Sequence, residues 1–141
     1  MKFILAYNGK IKSDFKSLFE EYKKRINIDL IELKNRDKLN EFLTDKKYIL
    51  LSEKGKEFTS LEFANFIKKN SEEGTLIFVI GDDTGFDKTV SDNASFILSL
   101  SKMTFPHDLT KIILLEQLYR AKSILDGTSY HKWKNNYNPF I

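Results

Sequence analysis

Three groups of residues in this chain combine types and spacings that can do chemistry. The first is Gly81-Asp82-Asp83-Thr84-Gly85, which follows the apolar run Thr75–Ile80. Glycines after a core strand let the backbone approach a ligand and present amide donors. A plain strand-to-helix turn also calls for Gly, Asp and Thr. Two aspartates would repel a phosphate, and the spacing is neither G-x-G-x-x-G nor a P-loop. A neutral or cationic ligand therefore suits it better than a nucleoside triphosphate.

The second group is Leu100-Ser101-Lys102-Met103-Thr104-Phe105-Pro106-His107. Ser99 through Phe105 follow neither a helical nor a strand period. Such a loop can wrap a small ligand with main-chain groups while Met103 and Phe105 form apolar walls. It can equally be a connector that starts the next helix, with Pro106 in the first helical position. In the first turn of that helix the positive dipole end disfavours a charged imidazole, so a neutral His107 can polarise or accept a proton. A lone histidine at a helix start is more often a plain surface residue.

The third group is Glu116 and Arg120, followed by Tyr130-His131-Lys132. An i, i+4 carboxylate and guanidinium form a salt bridge on a helix. The surrounding helix is apolar on nearly all sides, which suits packing on two surfaces, its own core and a partner subunit. Arg120 can then be held at an interface and offered to a phosphate. Tyr130, His131, Lys132, Trp133, Lys134 and Tyr137 interleave aromatic and basic side chains, the pairing by which RNA is stacked and neutralised. A tail that packs on the protein body is the alternative.

Positioning these groups takes an alternation of strands and helices. Strands are expected at Phe3–Tyr7, Ile28–Leu33, Tyr48–Leu51, Thr75–Ile80 and Phe96–Leu100. Between them the apolar spacing predicts helices over Asp14–Ile26, with Ser13 as N-cap, near Asp37–Leu43, from the capping box Thr59-Ser60-Leu61-Glu62, and near Asp87–Asn93. A long helix runs from Pro106 to about Leu125. Thr75–Ile80, fully apolar over Leu76–Ile80, reads as a central parallel strand covered on both faces. The fold class is therefore α/β, a mainly parallel sheet sandwiched by helices. Ligands of such sheets bind beyond the carboxyl ends of the strands. Three connections end there: Ser52–Gly55, Gly81–Gly85 and Ser99–Phe105.

Composition narrows the function classes. The 141 residues suit one domain spanning 1–141. No cysteine is present, which removes disulfides, thiolate metal sites and cysteine nucleophiles. Met1–Gly9 reads as a strand and not a signal peptide, and no apolar run approaches the ~20 residues of a membrane span. A cytoplasmic protein without membrane partner is expected. Net charge is only +3, but it is unevenly spread. Residues 1–50 carry 12 basic and 8 acidic side chains, residues 51–101 carry 5 and 9, and residues 102–141 carry 6 and 3. Basic ends around an acidic centre permit a phosphate-facing surface built from the termini.

Leu51, Val79-Ile80-Gly81 with Gly85, Leu-Ser-Lys-Met-Thr-Phe-Pro-His at 100–107, Leu-Glu-Gln-Leu-Tyr-Arg-Ala at 115–121 and Tyr130-His131-Lys132 together resemble the RlmH family. These are SPOUT-superfamily methyltransferases acting on a pseudouridine of large-subunit (23S) ribosomal RNA. The resemblance spans essentially the whole chain. It implies a carboxyl-terminal trefoil knot, a homodimer, and S-adenosyl-L-methionine held by Leu51, Gly81 and Leu100, Ser101, Lys102, Met103, Thr104 and Phe105. It implies methylation of pseudouridine N3 on the assembled ribosome without a metal, with His107, Arg120, Tyr130 and His131 binding substrate or handling the proton. Asp82 departs from the family pattern, which commonly has a second glycine there. The segment between Leu33 and Tyr48 is shorter than usual. A non-catalytic RNA- or ribosome-binding SPOUT domain, or a SPOUT methyltransferase with another RNA target, are the alternative readings.

Overall fold

The computed structural model describes residues 1–131; Lys132, Trp133, Lys134 and Tyr137 lie outside the described residues. Strands β1 (Lys2–Asn8), β2 (Ile28–Leu33), β3 (Ile49–Glu57), β4 (Thr75–Ile80) and β5 (Phe96–Ser99) form one sheet in the order β2-β1-β4-β3-β5. All of its ladders are parallel. Each connection carries a helix: α1 (Ser13–Lys23), α2 (Arg36–Leu43), α3 (Ser60–Asn70) and α4 (Lys88–Asn93), while α5 (His107–Asp126) follows the last strand.

Alternation along the strands decides which helix lies where. Phe3, Leu5 and Tyr7 of β1, Phe78 and Ile80 of β4, and Ile49 and Leu51 of β3 share a core with α1, α3 and α5. The opposite pleat, Ala6, Leu50 and Val79, packs with Leu39 and Leu43 of α2 and Val90 of α4. β4 lies between β1 and β3 with both faces covered, as its unbroken apolar sequence requires.

Three boundaries differ from the sequence expectation. Ser13 is the first residue of α1 and makes no cap; the N-cap is Lys12, whose backbone N–H donates to Asp108 at 2.9 Å. That helix also ends at Lys23, although Ile26 still enters the core. Pro106 is the N-cap of α5, with ψ 141°, and its carbonyl accepts from Thr110 at 3.0 Å. Ser52–Gly55 is a bulge inside β3. Both Leu51 and Lys56 oppose Leu98, so the four residues between them are pushed out of the ladder. Gly55 permits this: a Cβ there would lie 2.5 Å from the Ile97 carbonyl oxygen.

Candidate functional site

Because every strand runs the same way, the β3 bulge, the turn after β4 and the loop after β5 meet at the carboxyl edge of the sheet. They enclose an open cleft of about 740 Å³, a size that suits a small-molecule ligand. Leu51, Ile80, Phe86 and Phe105 supply apolar walls, and Glu53, Lys54, Asp82 and Asp83 are the charged residues of its lining. Seven of the eight residues expected to hold a cofactor line it: Leu51, Gly81, Leu100, Ser101, Met103, Thr104 and Phe105. Lys102 does not line it. Its side chain is 87% exposed and its ammonium points towards Glu57 at 3.9 Å. Met103 is 75% exposed, an apolar side chain standing open to solvent at the cleft.

Main-chain packing shapes the turn after β4. A Cβ on Gly81 would sit 2.7 Å from the Gly85 carbonyl oxygen. Gly85 has φ 85° and its N–H donates to Asp82 O at 2.9 Å. Asp82 belongs to this architecture. Its Oδ1 accepts from the Thr84 N–H at 2.9 Å and the Thr84 hydroxyl at 2.6 Å, and its Oδ2 accepts from Asn8 Nδ2 at 2.9 Å. Burial acts to raise the Asp82 pKa, yet the Thr84 donors, Arg36 and His107 outweigh it and hold the carboxyl below its usual range. A carboxylate so occupied holds the turn's backbone in place of the conformational freedom a second glycine would bring.

His107 lines the same cleft and is flanked by carboxylates. Its Nδ1 is hydrogen-bonded to Asp83, and its Nε2 faces Asp108 at 3.4 Å. Behind it lies a buried charge pair. Asp108 is 2% exposed and Lys111 is fully buried. The Lys111 ammonium donates to Asp108 at 3.1 Å and sits 4.3 Å above the Tyr7 ring. Burial pushes the Lys111 pKa down, opposed by Asp108. This pair ties the start of α5 to β1 and to the entry of α1, and so fixes the direction in which His107 enters the cleft.

The remaining expected residues gather elsewhere. Glu116 Oε1 accepts from Arg120 Nε at 2.9 Å, Arg120 Nη2 at 2.6 Å and the Tyr130 hydroxyl at 3.2 Å. Arg120 Nη1 lies 3.0 Å from His131 Nδ1, which must be the acceptor because a guanidinium only donates. The Arg120 guanidinium covers the Tyr130 ring at 4.9 Å, and Tyr130 packs edge-on against Tyr119. Burial first, then Glu116 and Tyr22, push the Tyr130 phenol up to about 12, so it is a hydrogen-bond donor at neutral pH. Arg120, Tyr130 and His131 thus form one partly buried cluster, and none of the three lines the cleft.

His107 and Arg120 stand thirteen residues apart on α5, about 20 Å along the helix axis at 1.5 Å per residue. The arrangement is therefore two centres on one helix, a cleft at its amino end and a cationic aromatic cluster near its carboxyl end. Sequence reading missed Asn8, Asp108 and Lys111, and singled out Asp83 within its turn without pairing it to His107. Asp108 and Lys111 had a visible signal, an i, i+3 charge pair within an apolar helix. Asn8 had none, because its partner Asp82 is distant in sequence, as His107 is from Asp83.

The family model described as "Predicted SPOUT methyltransferase" matches residues 1–131. A Coprothermobacter proteolyticus protein named ribosomal RNA large subunit methyltransferase H is 39% identical over 127 residues, covering 89% of this chain and 91% of its own length. A protein of the same name from Thermodesulfovibrio yellowstonii is 40% identical, with 92% and 98% covered. Among solved structures, a probable methylase family protein from Haemophilus influenzae superposes with TM-score 0.60 at 10% identity, over 97% of this chain and 71% of that one. A Legionella pneumophila protein solved in complex with the bound cofactor SAM superposes with TM-score 0.55 at 13% identity, over 86% and 66%. At these identities the structural likeness speaks for the fold alone, whereas the curated relatives match across nearly the whole chain. The chain belongs to the SPOUT methyltransferase family, in the group of the relatives named ribosomal RNA large subunit methyltransferase H.

Proposed function

We propose that this protein is an S-adenosylmethionine-dependent methyltransferase of large-subunit ribosomal RNA, and that its target is N3 of a pseudouridine in the assembled ribosome. The observation that carries the reading is the cleft. The β3 bulge and two connections, far apart in sequence, close around one cavity. Its wall at Gly81 is too tight for a Cβ, and its lining carries three carboxylates, Glu53, Asp82 and Asp83, to one lysine, Lys54. Carboxylates at Glu53 and Asp83 suit a ligand bearing a sulfonium and an ammonium, and Leu51, Ile80 and Phe105 suit its apolar parts. Leu51, Gly81 and the 100–105 loop would hold the cofactor, which supplies an electrophilic methyl group when bound.

The target nitrogen must lose its proton as the new N–C bond forms, because a neutral imide nitrogen is a poor nucleophile. Arg120, Tyr130 and His131 are the groups we assign to the RNA. Tyr130 donates, Arg120 offers positive charge to phosphate, and its bond to His131 Nδ1 orients that ring. About 20 Å along α5 separates this cluster from the cleft within one copy of the chain. A homodimer in which one copy's cluster faces the other copy's cleft brings both to one substrate. The same reading carries the carboxyl-terminal trefoil knot, formed by the 100–106 loop and α5, and a place in the cytoplasm with the ribosomes.

Mass spectrometry of ribosomal RNA tests the reading, after incubating the protein with labelled cofactor and either ribosomes or free 23S RNA. A labelled N3-methylpseudouridine, formed on ribosomes and not on free RNA, is expected. Label at another nucleotide indicates another RNA target, and cofactor binding without label indicates a binding domain. Asp82 does not favour that last outcome, since its carboxylate is occupied by Asn8 and Thr84.

A further inference from the structure

The turn that walls the cleft is tied down from outside. Arg36, the first residue of α2, reaches across to the far side of the turn. Its Nη2 donates to the Thr84 carbonyl at 2.7 Å and to the Thr84 hydroxyl at 2.8 Å, and its Nη1 donates to Asp87 at 3.0 Å. The Thr84 hydroxyl in turn donates to Asp82, and Asp82 accepts from Asn8. At the other end, Asp87 Oδ2 accepts from Asn40 Nδ2 at 2.6 Å, one turn further along α2. Asp87 stands at the N-cap of α4 but makes no side-chain cap bond there; its carboxylate faces α2 instead. A continuous chain of side chains thus runs from the end of β1, through the turn, to α2.

We propose that Arg36 is a positioning residue for the cofactor, holding the 81–85 turn in the shape that receives it while touching neither cofactor nor RNA. The proposal rests on the cofactor reading of the cleft. Arg36 is absent from the cleft lining, and its side chain is 36% exposed. A glycine-bracketed turn has wide conformational freedom, and ordering it on binding would be subtracted from cofactor affinity. Its inner side is tied by the Gly85-to-Asp82 main-chain bond and by the Asp82 carboxylate on Thr84, while the outward-facing Thr84 carbonyl is held by Arg36. The guanidinium suits this because its donors diverge at fixed angles, meeting a carbonyl and a carboxylate together, which a lysine ammonium cannot reproduce.

Calorimetric titration with S-adenosylmethionine tests this on the wild-type protein and on Arg36→Ala, Arg36→Lys and Asn40→Ala, alongside ligand-free thermal unfolding of each. Arg36→Ala is expected to weaken binding about tenfold, the scale of losing hydrogen bonds from a charged group. Arg36→Lys falls between, and kcat at saturating cofactor stays within about twofold of wild type. Asn40→Ala breaks the other bond to Asp87 but leaves Thr84 held, and is expected to bind as wild type whatever its Tm. Wild-type affinity in Arg36→Ala overturns the proposal. So does a loss of affinity in Arg36→Ala and Asn40→Ala that follows their Tm losses alike, the signature of a merely structural role. Failure of the wild-type protein to bind overturns the cofactor reading and this proposal with it.

Discussion

Replacing Asp108 by asparagine tests the charge pair beneath the start of α5. The carboxylate is 2% exposed and accepts from Lys111 Nζ at 3.1 Å and from the Lys12 N–H at 2.9 Å. Asparagine keeps the shape and one acceptor, the oxygen that serves Lys12, but its NH2 is a donor and leaves the buried ammonium with the Tyr7 ring alone. Removing one partner of a buried pair costs about 3–5 kcal/mol. The retained acceptor and the ring place this variant at the lower end, about 3 kcal/mol. For a chain of this length each 1 kcal/mol moves Tm by roughly 3–5 °C, so a fall of roughly 10–15 °C is expected. Asp108→Asn with Lys111→Met removes both charges and should recover about 2 kcal/mol of the loss.

Urea and thermal unfolding followed by circular dichroism measure the full double-mutant cycle. A loss below about 1 kcal/mol in the single variant, or no recovery in the double, refutes the reasoning. Acid adds a second readout. Burial acts to raise the Asp108 pKa, but the Lys12 N–H, Lys111 and His107 together hold it below the usual carboxyl range. Its folded value is thus depressed. The stability it contributes is fully present above the unfolded value near ~3.9 and is lost as pH falls through the lower folded value. Asp108→Asn should flatten that acid limb.

Two further outcomes concern the two centres. Gly81→Ala places a Cβ 2.7 Å from the Gly85 carbonyl, so the turn must open; cofactor affinity by calorimetry should fall at least about tenfold, and unchanged affinity would remove the turn from the cofactor wall. Arg120→Lys keeps a charge beside Glu116 but loses the converging donors and the bond to His131. Methyl transfer to ribosomes should drop about 100-fold with cofactor affinity intact, and a matching loss of cofactor affinity would contradict the separation of cleft and cluster.

Much of the fold was legible because local sequence carries it. The unbroken apolar run of Thr75–Ile80 placed β4 at the centre of the sheet, and the capping box at Thr59 placed the start of α3. Strand-helix alternation implied parallel pairing, and parallel pairing sent the three connections to one edge. The bulge in β3 was not legible, since it depends on Lys56 and Glu57 re-pairing with Leu98 and Ser99 on β5. Nor was the N-cap of α1, Lys12, whose N–H is held by Asp108, 96 residues away.

The candidate site divides along the same line. By itself the sequence determined which residue types are available: the glycine turn, the aperiodic 100–105 loop, the Glu116–Arg120 pair and the aromatic, basic end. Residue types and local periods are properties of a short stretch of chain, and they survive reading in one dimension. Only the tertiary structure decided that His107 meets Asp83 while Arg120 meets Tyr130 and His131, one helix length away. It alone showed that Asp82 serves the turn and that Arg36 reaches Thr84. Asp82 to Asn8, Arg36 to Thr84 and His107 to Asp83 join residues 74, 48 and 24 positions apart, and no local propensity encodes them. The bonds of Asp82 and Arg36 exist because the fold sets the ends of β1 and β4 and the start of α2 side by side, and that of His107 because α5 starts beside the β4 turn. A hydrogen bond forms only where folding brings donor and acceptor within about 3 Å.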